Sequence, residues 1–108
     1  MSLAEILMKR WGVRTQAEQK TVSLGTTATE LVPNNPDRLG LTIINLSTNS
    51  VYLALDSSVS SSKGILLVPT GGSATFSIED DFQMVGWAIW GIASGAASPL
   101  YVIEVTEY

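Results

Sequence analysis

The sequence has 108 residues, 45% of them hydrophobic and only 15% charged, with a net charge of −4. That length suits one domain burying about two-thirds of its unfolded surface, and the acidic balance argues against nonspecific nucleic-acid binding. The chain contains no Cys and no His. Disulfides are therefore excluded, as are the commonest general base and the commonest metal ligand.

Typical soluble domains are about 25% charged, so much of this surface must be Ser, Thr, Gly and Asn or be covered by a partner. No apolar run approaches the roughly 18 residues of a membrane span, so no membrane partner is expected. Glu5 does not fit a signal-peptide layout, and synthesis without classical secretion is expected.

The chain opens with Ser2-Leu3-Ala4-Glu5, which fits a capping box with Ser2 as N-cap. Leu3, Ile6, Leu7 and Trp11 follow at helical spacing, Lys9 and Arg10 suit a last turn, and Gly12 is a natural stop. Isolated helices shorter than about 12–15 residues are marginal in water. This one needs a surface to pack on, either the protein's own sheet or a partner.

Val13–Lys20 is polar and without a period, and reads as a linker or arm. The sequence thus divides into an N-terminal arm, residues 1–20, and a β-sandwich domain, residues 21–108. The arm is basic, with Lys9, Arg10, Arg14 and Lys20 against Glu5 and Glu18, while the body is acidic. Such an arm suits docking on the acidic body of an adjacent copy.

From Thr21 onward the pattern is β. Thr21–Leu24 and Ala28–Val32 read as short strands around Gly25-Thr26-Thr27, and Pro33–Asp37 as a loop. Leu39–Asp56 has two runs of period-two alternation around Ser47-Thr48-Asn49-Ser50, the pattern of a β-hairpin at the centre of a sheet. Ser57–Lys63 is a polar loop. Gly64–Val68 is continuously apolar, as a strand buried on both faces would be, and Pro69–Gly72 is a turn. Ala74, Phe76 and Ile78 alternate with polar residues up to the acidic Glu79-Asp80-Asp81.

Gln83–Ile92 reads as a strand on which Trp87 and Trp90 point to opposite faces. Leu100–Glu107 closes the chain, with Tyr101, Ile103 and Val105 on one face and Val102, Glu104 and Thr106 on the other. About eight short strands at this spacing predict an all-β fold, an antiparallel β-sandwich of jelly-roll type, with a short N-terminal helix.

Chemistry is sparse. Lys63 lies in a loop that reads as flexible, which makes a Ser–Lys dyad a poor prospect, and no enzymatic activity is expected. Thr70-Gly71-Gly72-Ser73 lies between strands and opens no helix, so it reads as a turn and not as a phosphate loop. Glu79-Asp80-Asp81 offers oxygens for Ca²⁺ but matches no EF-hand spacing, and reads more simply as a solvated cluster guarding a sheet edge. No cofactor or metal is assigned. Asn45-Leu46-Ser47 fits the glycosylation triplet. Trp90, or Trp87 if Trp90 is inside, would give an outward aromatic contact patch. The partner-binding residues expected are Leu3, Ile6, Leu7, Trp11 and Trp90.

Asn35-Pro36-Asp37-Arg38, the run LGLTIINLSTNSVYLALD, a Ser-rich loop, Gly64–Pro69 and Gly71-Gly72-Ser73 together resemble small phage-encoded virion proteins. In that family an Asn-x-x-Arg segment precedes a strand, an Asn-x-Ser turn and a VYL strand, then a G-I-x-L-x-P-G-G turn. Thr70 departs from the pattern by lengthening that last turn by one residue. The resemblance implies a β-sandwich structural protein on a phage or virus particle, made in the host cytoplasm, as a head decoration, head fibre or tail component. Its partners would be a capsid or other virion protein and its own copies, a trimer by analogy with threefold capsid positions. The alternative is a ligand-binding, lectin-like β-sandwich whose aromatic face stacks on carbohydrate.

Overall fold

Alternating burial along β3 (Arg38–Asn45) and β8 (Ser98–Glu107) decides which side of the first sheet is core. Leu41, Ile43, Leu100 and Val102 are buried, while Thr42, Ile44, Tyr101 and Ile103 between them are only half-buried. The computed structural model describes residues 2, 3, 5, 6, 14–77 and 82–107. The other strands are β1 (Thr15–Leu24), β2 (Thr29–Val32), β4 (Val51–Ala54), β5 (Ile65–Leu67), β6 (Ser73–Ser77) and β7 (Ile89–Ala93).

Among the described residues the eight strands form two four-stranded sheets, in orders β1-β8-β3-β6 and β2-β7-β4-β5. All pairings are antiparallel, and β1 pairs β8, β2 pairs β7, β3 pairs β6 and β4 pairs β5. The chain is thus a long hairpin rolled over on itself. One core lies between the layers, with Leu41, Ile43, Phe76, Leu100 and Val102 from the first sheet against Val32, Val51, Leu53, Leu67 and Ile89 from the second.

The expected hairpin over Leu39–Asp56 is not one. Its first run is β3 in the first sheet, its second run is β4 in the other, and the two do not pair. The reason lies in Asn45, which is wholly buried. Its side-chain amide donates to the carbonyls of Asn49, Leu67 and Val68 at 2.8–3.2 Å, and its Oδ1 accepts from the backbone and hydroxyl of Ser47 at 3.0 and 2.7 Å. These bonds tie residues 46–50 to the end of β5 and carry the chain from one layer to the other. Burial also removes Asn45 as a glycosylation acceptor.

Thr70, the extra residue of the 69–72 turn, sits at φ 57° and donates its N–H to the Ser47 carbonyl at 2.8 Å, which locks that turn onto the same corner. A Cβ on Gly72 would stand 2.4 Å from the Val68 nitrogen, so only glycine fits there.

Three further expectations change. Residues 15–20, read as the end of an unpatterned arm, are the first half of β1 and pair residue for residue with β8. They lack a period because β1 is an edge strand, exposed from Gln16 to Thr21. β5 is not buried on both faces. It too is an edge strand, with Ile65 and Leu66 exposed and only Leu67 buried. Gln83–Ile92 is not one strand, because Phe82–Gly86 is a 3-10 helix and β7 starts at Ile89.

The opposite end of the sandwich is closed by Arg38, whose side chain is fully buried. Its guanidinium donates to the carbonyls of Pro33 (2.8 Å), Trp87 (3.1 Å) and Val85 (3.3 Å), and its Nε to Glu104 Oε2 (3.0 Å). Asn35 shapes the approach by accepting the Asp37 N–H on its side chain and the Arg38 N–H on its carbonyl.

At the N-terminus Ser2 Oγ accepts the Glu5 N–H at 3.2 Å and the Ile6 N–H reaches the Ser2 carbonyl at 3.1 Å, the bonds expected of a cap. Leu7 and Trp11 lie outside the described residues, as do Glu79, Asp80 and Asp81.

Candidate interaction surface

Register places the outward side chains of the second sheet. β7 pairs β4 with Ile92 opposite Tyr52 and Trp90 opposite Ala54, and β4 pairs β5 with Tyr52 opposite Leu66. Ile92, Tyr52 and Leu66 therefore form one row across three strands. Glu30, Trp90 and Ala54 form the next. These residues alternate with the core positions Ile89, Gly91, Ala93, Val51 and Leu53, so all of them face away from the first sheet.

No described element covers this face. Leu66 is 51% exposed, and the flanking Leu55 and Val68 are exposed as well. Trp90, Ile92 and Tyr52 are half-buried. A flat row of aromatic and aliphatic side chains with one carboxylate at its border has the composition of an interface centre.

The paired tryptophans do not divide between core and surface as expected. Trp90 faces outward on β7. Trp87 precedes the strand, is 47% exposed, and serves Arg38 through its carbonyl. Leu3 and Ile6 are exposed too, Leu3 at 71%, so neither is packed into the described body.

Near the ends of β4 and β5 lies a cavity of about 360 Å³, lined mainly by Leu53, Leu55, Ile65, Phe76, Met84 and Ile89. Asp56 and Lys63, also in its lining, are 3.9 Å apart and well exposed. The Ser58 hydroxyl and then the Ser58 N–H hold the Asp56 carboxyl below its ordinary value of 3.8 against the opposing effect of desolvation, with the weakest contribution from the Lys63 cation. These bonds organise the 56–63 loop. Among the described residues no group of acidic side chains is placed to hold a metal ion.

The outward face is legible in part from the sequence. Trp90 is expected there. Tyr52 and Leu66 escape notice, because the first reads as part of a hairpin and the second as part of a buried strand.

No protein-family model matches the sequence, and no curated protein matches it. The structure is similar to a chain of the Bacillus endospore appendages that form disulfide-linked pili, at 13% identity over 88% of this chain and 87% of that one, TM-score 0.56. It is also similar to dTDP-4-dehydrorhamnose 3,5-epimerase from Bacillus anthracis (16% identity, 99% of this chain and 62% of that one, TM-score 0.48). A third likeness is to the SPBc2 prophage-derived protein YomS (12% identity, 86% and 96%, TM-score 0.42). At these identities the likeness to the pilus chain is one of fold alone.

Proposed function

We propose that this chain is a non-enzymatic structural protein that self-assembles on the surface of a phage or virus particle. The observation that carries the reading is the apolar face of Tyr52, Leu66, Trp90 and Ile92, which no described element covers and which fits a protein partner. The virion resemblance supports the setting. Its Asn-x-x-Arg and Asn-x-Ser segments correspond here to the two buried clamps, Arg38 and Asn45, that close the ends of the sandwich.

The rolled pairing of each strand with its counterpart from the other end of the chain supports the jelly-roll reading. The fold is shared with a chain from appendages that form pili, which supports self-assembly. Those pili are disulfide-linked, and a chain without Cys must assemble through noncovalent contacts.

In the finer reading the protein decorates a capsid as a homo-oligomer, a trimer at threefold positions, and is made in the host cytoplasm. The N-terminal segment bearing Leu3, Ile6, Leu7 and Trp11 is its attachment arm, a reading supported by the exposure of Leu3 and Ile6.

The test is to image purified particles with a labelled antibody against the chain and to repeat this with Trp90→Asp. The wild type should decorate the particles, and the variant should fold but fail to do so. Absence of the chain from particles, together with carbohydrate binding by the monomer through Tyr52 and Trp90, would replace this reading with the lectin-like one.

A further inference from the structure

A sheet edge offers unpaired N–H and C=O groups to any strand that can align with it. The first sheet ends in β1, among the described residues the longest edge at ten residues, against five for β6, four for β2 and three for β5. β1 contains no Pro, its pairing with β8 runs from Thr15 to Leu24 without a register shift, and Gln16–Thr21 are exposed. The bulge or proline that usually blunts a long edge is thus missing.

The charges on β1 have a pattern. Glu18 and Lys20 are two residues apart, hence on the same face, with Gln19 between them. Glu18 stands directly across from Glu104, a like charge, whereas Glu104 is already engaged by Arg38 at 3.0 Å and by Lys20 at 3.7 Å. No ion-pair partner for Glu18 is found among the described residues.

We propose that β1 pairs antiparallel with β1 of a second copy about a twofold axis through Gln19, joining the two first sheets into one continuous sheet. In that register each Glu18 lies opposite the other copy's Lys20, so two opposite-charge pairs form and Glu18 gains the cation it lacks. A slip of two residues either way puts Glu18 opposite Glu18 or Lys20 opposite Lys20. A slip of one puts the two second sheets on opposite sides of the shared sheet. The charges therefore select one register and one isologous contact. Charges on an edge also serve to repel partners, but repulsion requires like signs, whereas this pair is complementary to its own copy. The contact uses the edge of the first sheet and leaves the outer face of the second free, so it goes beyond the assembly proposed above.

Sedimentation equilibrium of the full chain tests this with E18K, K20E and their equimolar mixture, one variant ¹⁵N-labelled so that native mass spectrometry separates mixed pairs from like pairs. The wild type should associate less tightly as salt rises. Each variant alone should associate about tenfold more weakly or worse, since attraction becomes repulsion at both pairs. The mixture should recover wild-type association, predominantly as mixed pairs. Circular dichroism of each variant should match the wild type. A monomeric wild type, or a mixture no better than its components, would overturn the proposal. Variants that associate like the wild type while Leu66→Asp abolishes assembly would also overturn it, and would leave the outer-face reading standing.

Discussion

Arg38 is a wholly buried cation tied into the fold by four hydrogen bonds. Buried arginines are rare unless paired, and this one holds three carbonyls and a carboxylate at the end of the core. Arg38→Ala leaves Glu104 and three carbonyls without the guanidinium donor, and should cost about 3–5 kcal/mol in urea unfolding. Arg38→Lys should recover little, because a single ammonium cannot reproduce the guanidinium fork. An unfolding midpoint unchanged in either variant would show that the clamp is not structural. Asp56 gives a smaller prediction with a definite sign. Its carboxyl is held below 3.8 in the folded protein, so its contribution to the 56–63 loop is complete above that pH and is lost as pH falls below it. Asp56→Asn should therefore lower loop protection in hydrogen exchange at neutral pH toward its acid value and flatten the acid limb below about pH 4. Of these residue roles the sequence shows little. Asn35 and Arg38 stand out only through the virion resemblance. That Arg38 meets Glu104, far along the chain, is set by the pairing of β3 with β8.

At the scale of elements, alternation is a reliable guide to which side chains are core and a poor guide to which strands are partners. It puts Leu41, Ile43, Val51 and Leu53 on faces that are indeed buried, and Ile43→Ala should cost about 2–5 kcal/mol. The turn between their strands looks the same in sequence whether it closes a hairpin or crosses between sheets. What decides is the bonding of Asn45 to carbonyls of Leu67 and Val68, a nonlocal fact. The first half of β1 is invisible to periodicity because an edge strand need not alternate. This alters the truncation that separates arm from body. Deleting residues 2–13 should leave cooperative urea unfolding intact. Deleting residues 2–20 should strip β8 of β1 over residues 102–107, leaving β3 as its remaining partner, and broaden the transition.

At the scale of the whole molecule, the two sheets differ in what their outer faces offer. The second sheet presents Tyr52, Leu66, Trp90 and Ile92 on a face that no described element covers, and the proposed function rests on assembly through this face. Burying large side chains of this kind contributes roughly 1.5–3 kcal/mol each before ordering costs, so replacing two of them by carboxylates should abolish association through this face without unfolding the domain. Low overall charge raises the expectation of a surface covered by a partner, and Trp90, expected to face outward, does so on β7. The face itself needs the register of three strands that are far apart in sequence. The most direct measurement is sedimentation velocity of the intact chain beside a Leu66→Asp/Trp90→Asp double variant, with urea unfolding of both as the control for folding. Assembly through the outer face predicts a discrete oligomer for the wild type and, for the variant, a folded species no larger than the pair joined through β1. A folded variant that sediments as the same oligomer, or a wild type that stays monomeric at high micromolar concentration, would contradict it.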